Sequence, residues 1–114
     1  MLVKHFSEVK EEDVTSEGAK DVKIQWLINK DVPGAHFAMR RFTIKPGGHT
    51  GYHKHEWEHE IFVLCGEGKL KLETEEIPLR NGIFAFVDGS KYHQFINTGK
   101  EDFVFLCLIP FKVN

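Results

Sequence analysis

The sequence predicts an all-β fold, either two packed sheets or a closed barrel, and three observations carry that expectation. Short segments of alternating apolar and polar residues recur at close spacing, separated by turn formers. Phenylalanine is abundant, at ten residues, and clusters with β-branched residues inside those segments. Helical leanings are confined to residues 7–20, where a single turn can form but no apolar face supports a longer helix.

The elements follow in order. Residues 22–28 alternate, with Val22, Ile24, Trp26 and Ile28 on one face and Lys23 and Gln25 on the other. Asp31-Val32-Pro33-Gly34 breaks that strand. Residues 36–44 form the second strand, stopped by Lys45-Pro46-Gly47-Gly48. Residues 49–55 form the third. Residues 59–65 form the fourth, ended by Gly66-Glu67-Gly68. Residues 69–73 alternate lysine with Leu70 and Leu72, as a half-exposed strand does. Residues 77–79 include Pro78, which has no N–H to give a ladder, so this strand belongs at an edge or a bulge. Residues 83–87, 92–97 and 103–109 complete the set. So many strands in one short chain close into a sandwich or small barrel that can hold one small ligand in its mouth. Residues 2–6 alternate weakly and are expected to cover a strand edge, of this chain or of a second subunit, because an open edge invites aggregation. A homodimer is the matching expectation.

Composition excludes several classes. The 114 residues suit one domain, residues 1–114. Fifteen basic and seventeen acidic side chains leave a formal charge of −2, with no basic stripe of the kind nucleic acid needs. Residues 103–109 form the longest apolar run, far too short to span a bilayer, so no membrane partner is expected. The first residues carry no long apolar stretch, and Cys65 and Cys107 lie within apolar runs. Reduced thiols in a cytoplasmic protein are the corresponding expectation.

Four histidines carry the chemistry. His53, His55 and His59 crowd into one short stretch, and His93 follows the Asp88-Gly89-Ser90 turn. On extended backbone a His-x-His pair points both rings to one side. Two imidazoles on one buried face need polar partners, and one metal ion can serve both. His5, His36 and His49 read as ordinary solvated or hydrogen-bonded residues; His49 lies four residues from His53, roughly 13 Å at about 3.3 Å per residue.

These residues resemble the two motifs of the cupins. Gly47, His53, His55 and Gly66 match the first motif, and Gly82, His93 and Asn97 the second. Asp88 and Ser90 stand where the second motif has proline and glycine. Six residues separate His59 from Gly66 and five separate Glu60 from it; the motif's glutamate position calls for six. His59 therefore takes the glutamate's place, with Glu60 facing away. The resemblance implies a jelly-roll β-barrel with His53, His55, His59 and His93 around a divalent transition metal. Manganese or iron is favoured, as in small four-histidine cupins; nickel, copper and zinc also suit nitrogen donors.

Five more residues are candidates for the pocket. Arg40 shares a face with Ala38, Phe42 and Ile44, where a guanidinium needs a carboxylate or an anionic ligand. An internal ion pair is expected. Phe95 shares the face of His93, and Phe105 that of Cys107. Cys107 reads first as a small buried hydrophobe and second as a thiol beside the metal. Trp57, between His55 and His59, is placed to rim the entrance. The resemblance implies a metal-dependent oxidoreductase, of oxygenase type, acting on a small organic molecule. A non-enzymatic binding or storage module is the alternative. A metal-assisted isomerase or lyase comes third, for want of an inward carboxylate to take a proton.

Overall fold

The computed structural model describes residues 1–111. Nine strands form one curled antiparallel sheet. They are β1 (Glu12–Asp13), β2 (Lys20–Ile28), β3 (Phe37–His49), β4 (His59–Cys65), β5 (Glu67–Lys71), β6 (Glu76–Arg80), β7 (Phe84–Val87), β8 (Gln94–Asn97) and β9 (Phe103–Pro110). The order is β6-β5-β8-β3-β9-β4-β7, with β2 joined to β3 and β1 to β2. This is the barrel that the alternating segments predict, in the jelly-roll form that the resemblance implies. Pro78 lies in β6, at the end of that order, where a missing N–H costs least.

The second and third expected strands differ from the observed ones. Pro46-Gly47-Gly48 bends β3 rather than ending it, so one strand runs thirteen residues, from Phe37 to His49. Its first part pairs with β9, up to Ile44 against Phe103, whereas His49 pairs with Ile96 of β8. The bend thus carries β3 from one wall of the barrel to the other. Gly47 supplies the turn at φ +81°, and Gly48 lies so close to β2 that an added Cβ would sit 2.6 Å from the Lys20 carbonyl oxygen. Pairing of Lys20 with His49 holds the strand together across the bend. Beyond it, the expected strand 49–55 reduces to one bridge between His53 and His93.

The N-terminal segment folds onto its own chain. A single 3₁₀ turn, Phe6–Glu8, replaces the expected edge strand, and residues 1–5 form no strand. Gln25 donates from Nε2 to the carbonyls of Phe6 (2.9 Å) and Val9 (3.0 Å), while Arg41 stacks on the Phe6 ring at 3.9 Å. This cover explains why Gln25, on the face opposite Val22 and Ile24, is buried as they are. A register shift between Trp26 and Ile28 ends the simple alternation of β2.

The interior is apolar at one end. Ile44, Val63, Phe103 and Phe105 are almost fully enclosed, with the Phe103 and Phe105 rings 5.3 Å apart. Each such side chain contributes roughly 1.5–3 kcal/mol by leaving water. The same strands continue upward into the polar end.

Candidate metal centre and its pocket

The His53, His55 and His93 rings converge at the open end of the barrel. One ring nitrogen from each lies within 4.8 Å of the other two. His53 and His93 are locked by paired backbone hydrogen bonds, 3.2 Å and 2.9 Å, across their bridge. Ser90 donates its N–H to the His55 carbonyl at 2.5 Å. That serine sits at φ +62°, the left-handed conformation the glycine of the motif would adopt freely. His93 presents Nδ1 to the Lys91 carbonyl at 2.9 Å, which leaves Nε2 free to face the cluster.

His59 stands beside these three, with ring centroids 4.7 Å from His93 and 5.2 Å from His55. The tight cluster is three histidines, and the expected fourth, His59, lies outside it. The strand register drawn for it is correct: along β4, His59, Ile61 and Val63 are buried while Glu60 and Phe62 are exposed. His59 Nδ1 lies 3.3 Å from the Cys107 sulfur and 3.5 Å from the Arg40 guanidinium. Its Nε2 is buried with no hydrogen-bond partner. A buried nitrogen in that state costs free energy unless something is bound to it.

Those observations test whether the residues suit a metal. Two nitrogens each about 2.1 Å from one ion lie between about 3 Å and 4.2 Å apart, so the three-histidine spacing is compatible with ligation. Burial also favours the neutral rings that a metal requires. Burial lowers the pKa of all four; it takes His55 to about 4 and His59 to about 3, with neighbouring histidines and Arg40 adding repulsion. The donor set fits a divalent transition ion.

The cavity beneath, about 250 Å³, is lined by the four histidines with Arg40, Phe95, Phe105 and Cys107. Four of the five expected pocket residues therefore meet there. Trp57 is the exception: it stacks on His55, centroids 4.7 Å apart and planes 1° apart, but lines the adjoining cavity. The expected internal ion pair of Arg40 does not form. Arg40 makes no salt bridge among the described residues; it donates to the Cys107 sulfur at 2.9 Å and lies over Phe42 and Trp26. No acidic side chain lines its cavity, so its Nε stays buried and unpartnered. Burial raises the Cys107 thiol pKa, against a smaller opposing effect of Arg40.

Val14, Ser16, Ile24, Phe42 and Thr50 also line this cavity without having been anticipated. Face parity with Arg40 identifies Phe42. Val14 and Ser16 had no such signal, because they reach the site only through tertiary folding of the N-terminal region.

Comparison with known proteins agrees with this geometry. Residues 40–109 match the cupin domain family, and the chain belongs to it. It is 32% identical over 114 residues to an oxalate-binding protein of Thermotoga maritima, covering 95% of this chain and 93% of that one. A solved structure of a predicted oxalate decarboxylase from Thermotoga maritima is 32% identical, with a TM-score of 0.86 over 96% of this chain and 98% of that chain. The polyketide cyclase RemF from Streptomyces resistomycificus is also 32% identical, with a TM-score of 0.92 over 98% of this chain and 80% of its own. No helix among the described residues is long and apolar enough to cross a membrane.

Proposed function

We propose that this cupin holds a divalent transition metal at His53, His55, His59 and His93 and uses it on a small organic acid, in oxidoreductase chemistry of oxygenase type. The observation that carries the reading is the orphaned, buried Nε2 of His59 beside three converging imidazoles. Manganese or iron is the expected ion. Bound there, a divalent ion supplies a Lewis acid that polarises a ligand oxygen.

The chain's own residues do the rest. Arg40, with no carboxylate partner, pairs with the acid group of the ligand and orients it toward the histidines. Phe95 and Phe105, with centroids 4.7 Å apart, form an apolar floor that excludes water. Cys107 holds Arg40 in place through its sulfur. The want of an acidic side chain in the cavity argues against isomerase or lyase chemistry that relies on a carboxylate base.

A second reading is favoured by one observation. The likeness to the oxalate-binding protein extends over nearly all of both chains, which supports a binding module that holds an organic acid without transforming it. Oxygen uptake by the metal-loaded protein across a panel of organic acids separates the two. Consumption with any acid supports the oxygenase; tight binding of acids with no consumption supports the binding module. Metal analysis of protein purified without added metal tests the centre itself, and a metal-free result that resists reconstitution overturns it.

A second copy of this chain is the proposed partner. Phe62, Phe84 and Phe86 are exposed on adjacent strands β4 and β7, with Phe62 paired to Phe84. Contiguous exposed aromatics mark interaction surfaces. A sedimentation mass of one chain at micromolar concentration would sink the dimer.

A further inference from the structure

A second cavity adjoins the one beneath the histidines. On three strands and in one loop, the residue two positions along from an inner-cavity residue lines this second cavity, of about 600 Å³. On β2, Ile24 gives way to Trp26; on β3, Arg40 to Ala38; on β9, Cys107 to Ile109. In the loop, His55 gives way to Trp57. The strand pairing sets Trp26 level with Arg40 and Cys107, and Ala38 level with Ile109 one step further along β3 and β9. Two residues advance about 7 Å along a strand. The outer cavity therefore adjoins the inner one, with the Arg40–Trp26 and His55–Trp57 pairs at their border.

The junction is built from two stacked pairs. The Arg40 guanidinium lies 5.5 Å from the Trp26 ring centroid, and His55 stacks on Trp57 with planes 1° apart. Trp26 and Trp57 are the only tryptophans of the chain, and both line the outer cavity together with Ala38, Ile109 and Phe111. Trp26 is 37% exposed, so part of its indole is open on the side of the outer cavity. An inner carboxylate site of about 250 Å³ for a two- or three-carbon acid has no use for this layer.

We propose that the ligand is an aromatic carboxylate, with its acid group on Arg40 beside the histidines and its flat apolar body in the cavity of Trp26 and Trp57. This deepens the function proposed above and rests on its placement of the reacting group at the histidines. The physics is the usual division of a small-molecule site: a few polar groups fix orientation, while aromatic walls supply affinity. A short dicarboxylate would leave both indoles wet.

Calorimetric titration tests the proposal with three probes: 2-naphthoate, acetate and 2-naphthalenemethanol. Metal content is measured on each preparation. 2-Naphthoate is expected to bind at least tenfold more tightly than acetate, which lacks the body, and than 2-naphthalenemethanol, which lacks the charge. Trp57→Ala, in a loop, and Trp26→Leu should each weaken 2-naphthoate about tenfold and leave acetate unchanged. Trp57→Phe should recover most of the loss. Arg40→Gln should bring 2-naphthoate down to the level of the alcohol. Circular dichroism confirms the fold of each variant.

Affinity for 2-naphthoate no greater than for acetate, or unmoved by both tryptophan variants, overturns the proposal. The same titrations on chelator-treated protein separate the two readings. If the protein takes up no metal, the metal centre falls, while the tryptophan dependence of 2-naphthoate binding still decides the ligand class. If metal binds at one per chain and the tryptophans have no effect, the ligand class alone is wrong.

Discussion

The two ends of the barrel are made from the same strands and obey opposite rules. At the closed end, Ile44, Val63, Phe103 and Phe105 fill the interior with hydrocarbon. At the open end, β4 contributes His59, β3 contributes Arg40 and β9 contributes Cys107 to a cavity with unpartnered nitrogens. Two to four residues along each strand separate the regimes. The closed end gains stability from burial. The open end gives some of it up, because buried polar atoms without partners are costly until a ligand arrives.

That contrast can be broken from either side, and the largest effect belongs to the closed end. Phe103→Ala removes a fully enclosed ring and should destabilise the protein by about 3–5 kcal/mol in urea unfolding. The same experiment on His59→Ala should give a much smaller loss in metal-free protein, since an orphaned nitrogen leaves with the ring. Metal affinity should show the reverse. His59→Ala should weaken binding at least a hundredfold, read by competition with a chromophoric chelator, on the proposal that His59 is a ligand. Glu60→Gln, which faces solvent, should leave affinity within a factor of two. If Glu60→Gln strips the metal and His59→Ala retains it, His59 is not a ligand.

The pH dependence sharpens the comparison further. Burial depresses all four histidine pKa values below the ordinary 6.5, with His55 near 4 and His59 near 3. The unfolded chain therefore takes up protons on these rings before the folded chain does. Metal-free protein should be most stable above pH 6.5 and lose stability as pH falls from there toward 3. Thermal melts of the chelator-treated protein across that range check the sign; a melting temperature that rises on acidification would contradict it. The smallest effect concerns the turn that supports His55. Ser90→Gly relieves a left-handed backbone but loosens the unfolded chain, so it should change stability by less than about 1 kcal/mol. Its metal affinity should match that of the unaltered protein.

Much of this molecule was legible from alternation alone. The expected boundaries of β4 are the observed ones, and those of β9 differ by one residue at its end. Both strands alternate or run apolar between clear turn residues, so local pattern and tertiary demand agree. The inward direction of His59 and outward direction of Glu60 follow from the same period of two. Errors gathered where a residue's local meaning depends on what packs on it. Glycines 47 and 48 were read as an end to the strand, yet β2 continues alongside and makes them a bend. Gln25 was placed with Lys23 on the face opposite Val22 and Ile24, yet residues 6–9 return to cover it.

By itself, then, the sequence determined the fold class and, along β4, the faces of His59 and Glu60, because these depend on periodicity. The grouping of His93 with His53 and His55 came from the resemblance to the cupin motifs. Tertiary structure decided what no period encodes. It left Arg40 without the ion pair expected for it, because no acidic residue on any neighbouring strand reaches its cavity. It gathered three histidines tightly and held His59 slightly apart against Arg40 and Cys107. And it brought Trp26 and Trp57, thirty-one positions apart, to one cavity, since that meeting depends on how a curled sheet and a loop close over each other rather than on any local preference.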